Sequence, residues 1–200
     1  MKEVFYTVAE NAPIAPGVYR LRLLGDTTAI TAPGQFLELK LPGFFLRRPL
    51  SVCDWDEGSV TILYKVVGSG TDWLSRCAAG DVLSALSGLG NGFDPAACKD
   101  VTLVIGGGIG VPPMYGLAKR LLAAGKTPVA ILGFNTAGER FYDDAFRALG
   151  VQTIVATADG SLGVRGFVTD ALPEDTLWVD IARGSGENDR IITITGGETR

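Results

Sequence analysis

The sequence contains no histidine. That absence removes the Ser-His-Asp triad, the Cys-His nucleophile and every histidine metal ligand together. Cysteine is scarce too: Cys53, Cys77 and Cys98 stand 24 and 21 residues apart. An odd number at wide spacing is neither a disulfide framework nor a zinc site, and these read as buried free thiols. Positive charge is in short supply, with 18 Lys and Arg against 22 Asp and Glu. A net charge of −4 speaks against general nucleic-acid binding. No apolar run approaches a membrane span, because the strongest, residues 101–105, ends in glycines. The opening MKEVFYTVAEN has no signal-peptide pattern. The expectation is a cytoplasmic protein without nucleic-acid or membrane partners, whose chemistry rests on a bound cofactor.

Glycine, by contrast, is plentiful at 27 residues, and its densest cluster organises the chain. In VTLVIGGGIGVPPMYGLAKRLLAA (101–124), a β-branched apolar run reads as a buried strand. Gly106, Gly107, Gly108 and Gly110 allow a sharp turn and leave no Cβ to block a ligand. Pro112 and Pro113 sit where a helix begins, a place that tolerates the missing N–H. Strand, glycine turn and helix N-terminus together suit a nucleotide's phosphates. The spacing is not the Rossmann fingerprint: counted from Gly106 the last glycine falls on Val111, and from Gly108 on Pro113. No Gly-Lys-Ser/Thr follows either. On these residues alone, a nucleotide site and a plain structural turn both stay open.

Residues 1–98 read as short strands separated by turns, the pattern of a small antiparallel barrel or sandwich. Strands are expected at 4–9, 18–24, 35–41, 60–67 and 81–86, with a proline-rich turn at 11–17. Two places depart from plain barrel sequence. In Arg47-Arg48-Pro49-Leu50-Ser51, Pro49 removes a donor and belongs at a strand edge or start. An arginine there offers a planar fork that suits phosphate. An exposed arginine pair beside a turn fits the same residues. In GSGTDWL (68–74), Thr71 reads as the N-cap of a short helix. That helix start has free N–H groups for a phosphate, or is simply a self-capped connection.

From Asp100 the period changes. A second strand is expected at 128–133, a helix at 141–149 and a third strand at 151–156. Asp159-Gly160-Ser161 then forms a loop at the third strand's C-terminal end. Strands alternating with helices imply a parallel α/β sheet whose ligands gather at that edge.

Four segments in order, RPLS, LYKVVGSGT, SGLGNGF and IGGGIGVPPMYGLAKRL, resemble the ferredoxin–NADP⁺ reductase superfamily. Within it, residues 3–173 look most like electron-transfer subunits of bacterial type B dihydroorotate dehydrogenases. The resemblance implies a fold of β + α/β class: an N-terminal antiparallel FAD-binding barrel (1–98), then a parallel α/β NAD-binding domain (99–175). Arg48, Pro49, Leu50 and Ser51 match the family's flavin segment, with Arg48 on the FAD pyrophosphate and Ser51 near the isoalloxazine. Leu63, Tyr64 and Lys65 match a second FAD stretch, and Gly70 and Thr71 the pyrophosphate turn. Gly106, Gly107, Gly108 and Gly110 would receive NAD(H), with Asp159, Gly160 and Ser161 opposite. No catalytic acid or base is implied, since hydride transfer needs orientation of two rings. The implied partner is a catalytic, FMN-containing dihydroorotate dehydrogenase subunit, assembled as a heterotetramer. The family also holds a [2Fe–2S] cluster on four cysteines of a C-terminal extension. Those cysteines are not in this sequence, so no cluster or other metal is expected on the chain. Residues 176–200 read as a divergent tail without a convincing helix, leaving the nucleotide domain short of its last strand and helix. The alternatives are a stand-alone NAD(P)H-dependent flavin or ferredoxin reductase, and a truncated, catalytically silent chain that only binds its partner.

Overall fold

The computed structural model describes residues 1–173, 180–183 and 190–195. The chain divides into two compact units, Met1–Phe93 and Asp94–Arg200. Phe93 belongs to the first because its ring lies where a Cβ on Gly34 would fall, and its N–H bonds Pro33 O at 2.7 Å.

The first unit is a closed antiparallel barrel. Its strands are β1 (Lys2–Ala15), β2 (Val18–Leu24), β3 (Phe36–Lys40), β4 (Arg48–Trp55), β5 (Ser59–Lys65) and β6 (Val82–Leu89), in the order β1-β2-β5-β4-β3-β6. A short helix, α1 (Ser69–Ser75), lies between β5 and β6. Alternation sends Leu21, Leu23, Leu37, Leu39, Val52, Ile62 and Tyr64 into the core. β2 has the expected bounds. β1 does not: the expected turn at 11–17 is mostly strand. β1 pairs with β6 from Lys2 to Thr7 and with β2 from Thr7 to Ala15. Pro13 therefore sits where β1 has a partner strand on one side only, and a register shift follows it.

The second unit carries β7 (Val101–Gly107), a 3₁₀ turn (Gly108–Gly110), α2 (Val111–Ala123) and β8 (Thr127–Phe134). A 3₁₀ turn (Ala137–Glu139), α3 (Asp143–Ala148), β9 (Gln152–Thr157), β10 (Val164–Arg165) and a last 3₁₀ turn (Val168–Ala171) follow. β7, β8, β9 and β10 run parallel. Leu103, Ile105 and Ile131 pack with Val168, Ala171 and Leu172. The helix expected at 141–149 starts at Asp143, because Tyr142 takes φ 65° and interrupts the helical backbone. Tyr142 and Phe146 both meet the Tyr115 ring edge-on, at 5.1 and 5.4 Å.

Two strands lie in the segment expected to be a divergent tail. β11 (Asp180–Arg183) and β12 (Arg190–Thr195) continue the sheet beyond β7, in the order β10-β9-β8-β7-β12-β11. β12 runs antiparallel to β7, with Ile192 paired to Ile105. Its sequence, RIITIT, is β-branched after the arginine and favours a strand. The rest of 174–200, with the helix expected to be missing there, lies outside the described residues.

Asp143 anchors α3. Its side chain is 3 % exposed and accepts from Arg140 Nη1 at 2.5 Å and Arg147 Nη1 at 2.7 Å. Burial works against the carboxylate, but the hydrogen bonds and charges of the two arginines outweigh it and hold the carboxyl below its usual range. A carboxyl depressed in the folded state adds stability above its unfolded pKa, near 4, and loses it as pH falls through the folded value. Asp143→Asn is expected to cost the second unit about 1–3 kcal/mol at neutral pH, and less as pH drops below 4, read by urea unfolding.

Candidate functional site

The barrel site begins with two adjacent arginines that do different work. Arg47 is tied down, with Nη2 on Glu3 Oε1 at 3.1 Å and Nη1 on Glu38 O at 3.4 Å. The Ser84 hydroxyl and Arg47 hold the Glu3 carboxyl below its usual range. Arg48 opens β4, donates to Leu46 O at 2.6 Å and stacks its guanidinium 5.0 Å from the Phe44 ring centre. Its fork lies directly on Gly70: a Cβ there would fall 2.3 Å from Arg48 Nε and 2.8 Å from the guanidinium carbon. The structure thus brings Arg48 and Gly70 together from segments more than twenty residues apart. Gly70→Ala should lift the guanidinium off the turn, because the arginine end can move and the helix backbone cannot. The barrel's melting point should barely change, while affinity for a pyrophosphate ligand falls several-fold.

Thr71 is not the N-cap. α1 starts at Ser69, with Gly68 as cap in extended backbone, φ −171°. Thr71 is the third helical residue, and its hydroxyl reaches back to accept the Val67 and Gly68 N–H groups at 3.0 and 3.2 Å. What the turn retains for a ligand is backbone N–H.

Strand alternation divides the remaining flavin-segment residues. Leu50 packs on the barrel core, and Val52 is part of it. Pro49 and Ser51 therefore face outward. Val52 pairs with Ile62, so Leu63 and Lys65 on β5 face the same outer side. Pro49, Ser51 and Lys65 make an outer strip, with Arg48 at the start of its β4 edge; Leu63 shares that face but is buried. Tyr64 is not on it: the ring is buried, stacks on Tyr19 and donates its hydroxyl to Asn11 Oδ1 at 3.0 Å.

Cys53, Cys77 and Cys98 form no disulfide; the first two are buried and Cys98 is half-buried. Burial pushes the Cys77 thiol up to about 11 and also raises that of Cys98. Such thiols are poor thiolate ligands at neutral pH. Among the described residues, no group of three or more Cys, Asp or Glu is placed to hold a metal.

In the second unit three loops meet the C-terminal ends of β7, β8 and β9. Gly106 is required by packing: a Cβ would fall 2.7 Å from Gly110 O and 2.9 Å from Val111 Cα. Gly107, Gly108 and Gly110 are the reverse case. An added Cβ would meet nothing within 4 Å, so open space borders the turn that leads into α2. A phosphate-bearing chain fits such a cradle.

The Asp159–Ser161 loop lies two strands away, roughly 10 Å across the sheet edge. Asp159 Oδ1 accepts the Ser161 N–H at 2.9 Å and hydroxyl at 2.6 Å, which hold its carboxyl low. The Ser161 hydroxyl oxygen accepts the Ala137 N–H at 2.8 Å. The loop is thereby clasped to the turn after β8. Gly160 takes φ 75°, and the Arg165 stem crosses it within 3 Å of where a Cβ would be. That sets a cation, not singled out from the sequence, at the loop's rim. A cavity of about 690 Å³ runs beside this clasp, lined by Ala137, Arg140, Arg147, Ile154 and Leu162 among others.

A barrel with an arginine on a glycine turn, followed by a parallel sheet with an open glycine turn, defines the ferredoxin-reductase-like class. No family model matches the chain. Solved structures agree with the class. An NADH-dependent reduced ferredoxin–NADP oxidoreductase superposes with TM-score 0.74 at 31 % identity, over 83 % of this chain and 61 % of that one. A cytochrome P450 reductase of Amycolatopsis superposes with TM-score 0.75 at 26 % identity, over 85 % and 56 %. Among curated relatives, the dihydroorotate dehydrogenase B (NAD⁺) electron transfer subunit of Bacillus pumilus is 39 % identical over 194 residues, 93 % of this chain and 75 % of the relative. That of Listeria monocytogenes serotype 4a is 44 % identical over 82 % of this chain and 66 % of its own. The chain belongs to the family of dihydroorotate dehydrogenase B electron transfer subunits.

Proposed function

We propose that this chain holds FAD on the outer strip of its barrel and NAD(H) across the C-terminal edge of its parallel sheet. In this reading it relays electrons from a catalytic, FMN-containing dihydroorotate dehydrogenase subunit to NAD⁺, in the cytoplasm. The observation that carries the reading is the Arg48 guanidinium laid on Gly70, a cationic cradle that a side chain would fill. Family membership supports it.

Arg48 meets the FAD pyrophosphate with a charge-assisted fork, and the Gly70–Thr71 turn adds N–H groups. Ser51 lies against the isoalloxazine, Pro49 and Lys65 line its strip, and the buried Leu63 contributes backbone. Leu50 and Tyr64 contribute backbone there, since their side chains face the core. Gly106 lets α2 approach β7, and Gly107, Gly108 and Gly110 border the space for the dinucleotide. Asp159, Gly160 and Ser161 bound its far end. Bound FAD would supply hydride and single-electron chemistry. The chain's residues supply orientation and no acid or base. The [2Fe–2S] cluster is not carried by residues 1–200 in this reading, and the partner assembles with the chain as a heterotetramer.

The test is gel filtration of the chain with FAD, then addition of the catalytic subunit, dihydroorotate and NAD⁺. Retained FAD and dihydroorotate-dependent NADH formation support the full reading. Retained FAD with NADH oxidation by an artificial acceptor, but no response to dihydroorotate, would make the chain a stand-alone reductase. Failure to retain FAD would remove the flavin assignment.

A further inference from the structure

The helix that carries Gly70 is seven residues long. A helix this short has little stability of its own, so its position is set by whatever pins it. Its start is held by the Thr71 hydroxyl on the Val67 and Gly68 N–H groups. Its end is held from β1. Asn11 Nδ2 donates to Leu74 O in the helix's last turn at 2.8 Å and to Cys77 O, just past the helix, at 3.1 Å. Asn11 Oδ1 accepts the Tyr64 hydroxyl at 3.0 Å. The amide thus uses both donors and its acceptor in a partly buried network joining β1, β5 and α1. Burial raises the Tyr64 phenol above its usual pKa and keeps it a donor at neutral pH. The pinned helix in turn sets where Gly70 meets the Arg48 fork.

We propose that Asn11 and Tyr64 are positioning residues for flavin binding, fixing α1 from its C-terminal end so that Gly70 seats Arg48 against the FAD pyrophosphate. The inference rests on the flavin reading above. It gives the Tyr64 hydroxyl a role through Asn11 rather than by touching the cofactor. Asn11 stands in a stretch whose prolines read as a turn, and no sequence spacing links it to residues 64 and 74.

The discriminating readout is FAD against FMN. FMN has the same ring system and ribityl chain but only one phosphate and no adenosine. Displacing Arg48 and its turn penalises the pyrophosphate, whereas general loosening of the barrel penalises both flavins. Dissociation constants for FAD and FMN are measured by flavin fluorescence for wild type, Asn11→Ala and Tyr64→Phe, with circular dichroism to verify folding. Asn11→Ala is expected to weaken FAD about tenfold and FMN less than about twofold, consistent with the loss of two hydrogen bonds that place a charged group. Tyr64→Phe, which removes one hydroxyl and keeps the ring, should weaken FAD a few-fold with the same selectivity. In Arg48→Gln, adding Asn11→Ala should cost FAD little more, because both act on one contact. Equal FAD affinity in wild type and folded Asn11→Ala would overturn the proposal. So would equal weakening of FAD and FMN, or full additivity with Arg48→Gln. If Asn11→Ala does not fold, Tyr64→Phe decides on the same criteria. A wild-type chain that binds no FAD would overturn the flavin reading and this inference together.

Discussion

Arg48→Gln is expected to weaken FAD binding by about 10- to 150-fold, the equivalent of about 1.5–3 kcal/mol for a lost charge-assisted hydrogen-bond pair. The folded barrel should be nearly unaffected. Arg48 is partly exposed at the start of β4, and its side-chain bonds within the protein go to the carbonyls of its own loop. The neighbouring Arg47→Gln should behave oppositely. It breaks the contacts with Glu3 and Glu38 O that join β1 and β3, so it should lower the melting temperature and leave FAD affinity within about twofold. Equilibrium titration of each variant with FAD, beside a thermal melt, separates the two arginines.

A pair of glycines in the second unit should separate packing from binding in the same way. Gly106→Ala places a methyl group 2.7 Å from Gly110 O and 2.9 Å from Val111 Cα. Both are backbone atoms, so the start of α2 must move away from β7. The expected cost is about 1–3 kcal/mol of stability, as for other overpacked sites, with NADH-dependent flavin reduction lost and FAD retained. Gly107→Ala adds its methyl to open space, at φ −112° and ψ 134°, which any residue adopts. Stability should hold within about 0.5 kcal/mol. If NAD(H) lies against this turn, its KM should rise at least about tenfold. Stopped-flow reduction of the flavin at several NADH concentrations, with urea unfolding of the same samples, reads both quantities.

Much of this arrangement is legible in local sequence because its signals are local. Alternation over LRL in VYRLRLL marks β2, whose Val18, Leu21 and Leu23 are buried. The run VTLVIGG followed by Gly-Ile-Gly-Val-Pro-Pro places strand, turn and helix where they are found. The parts that are not legible depend on long-range pairing. Pro13 looks like a turn residue until β2 is seen to be its single neighbour. Thr71 looks like an N-cap, but the helix starts two residues earlier and the hydroxyl closes the turn from inside. Tyr64 looks like part of a cofactor stretch, yet strand phase turns it into the core, where Asn11 receives its hydroxyl. β12 sits in a segment whose glycines and charges obscure a six-residue strand. The Arg48–Gly70 contact is the sharpest case: both residues stand out in sequence, but only closure of the barrel shows that they touch.

The proposed function depends on hydride transfer between NADH and FAD on one chain. The direct measurement is the visible spectrum of the FAD-reconstituted chain under anaerobic conditions, before and after a stoichiometric amount of NADH. The flavin band is expected to bleach with NADH and to return when an artificial electron acceptor is added. A bound flavin that NADH leaves unbleached would contradict the proposed function.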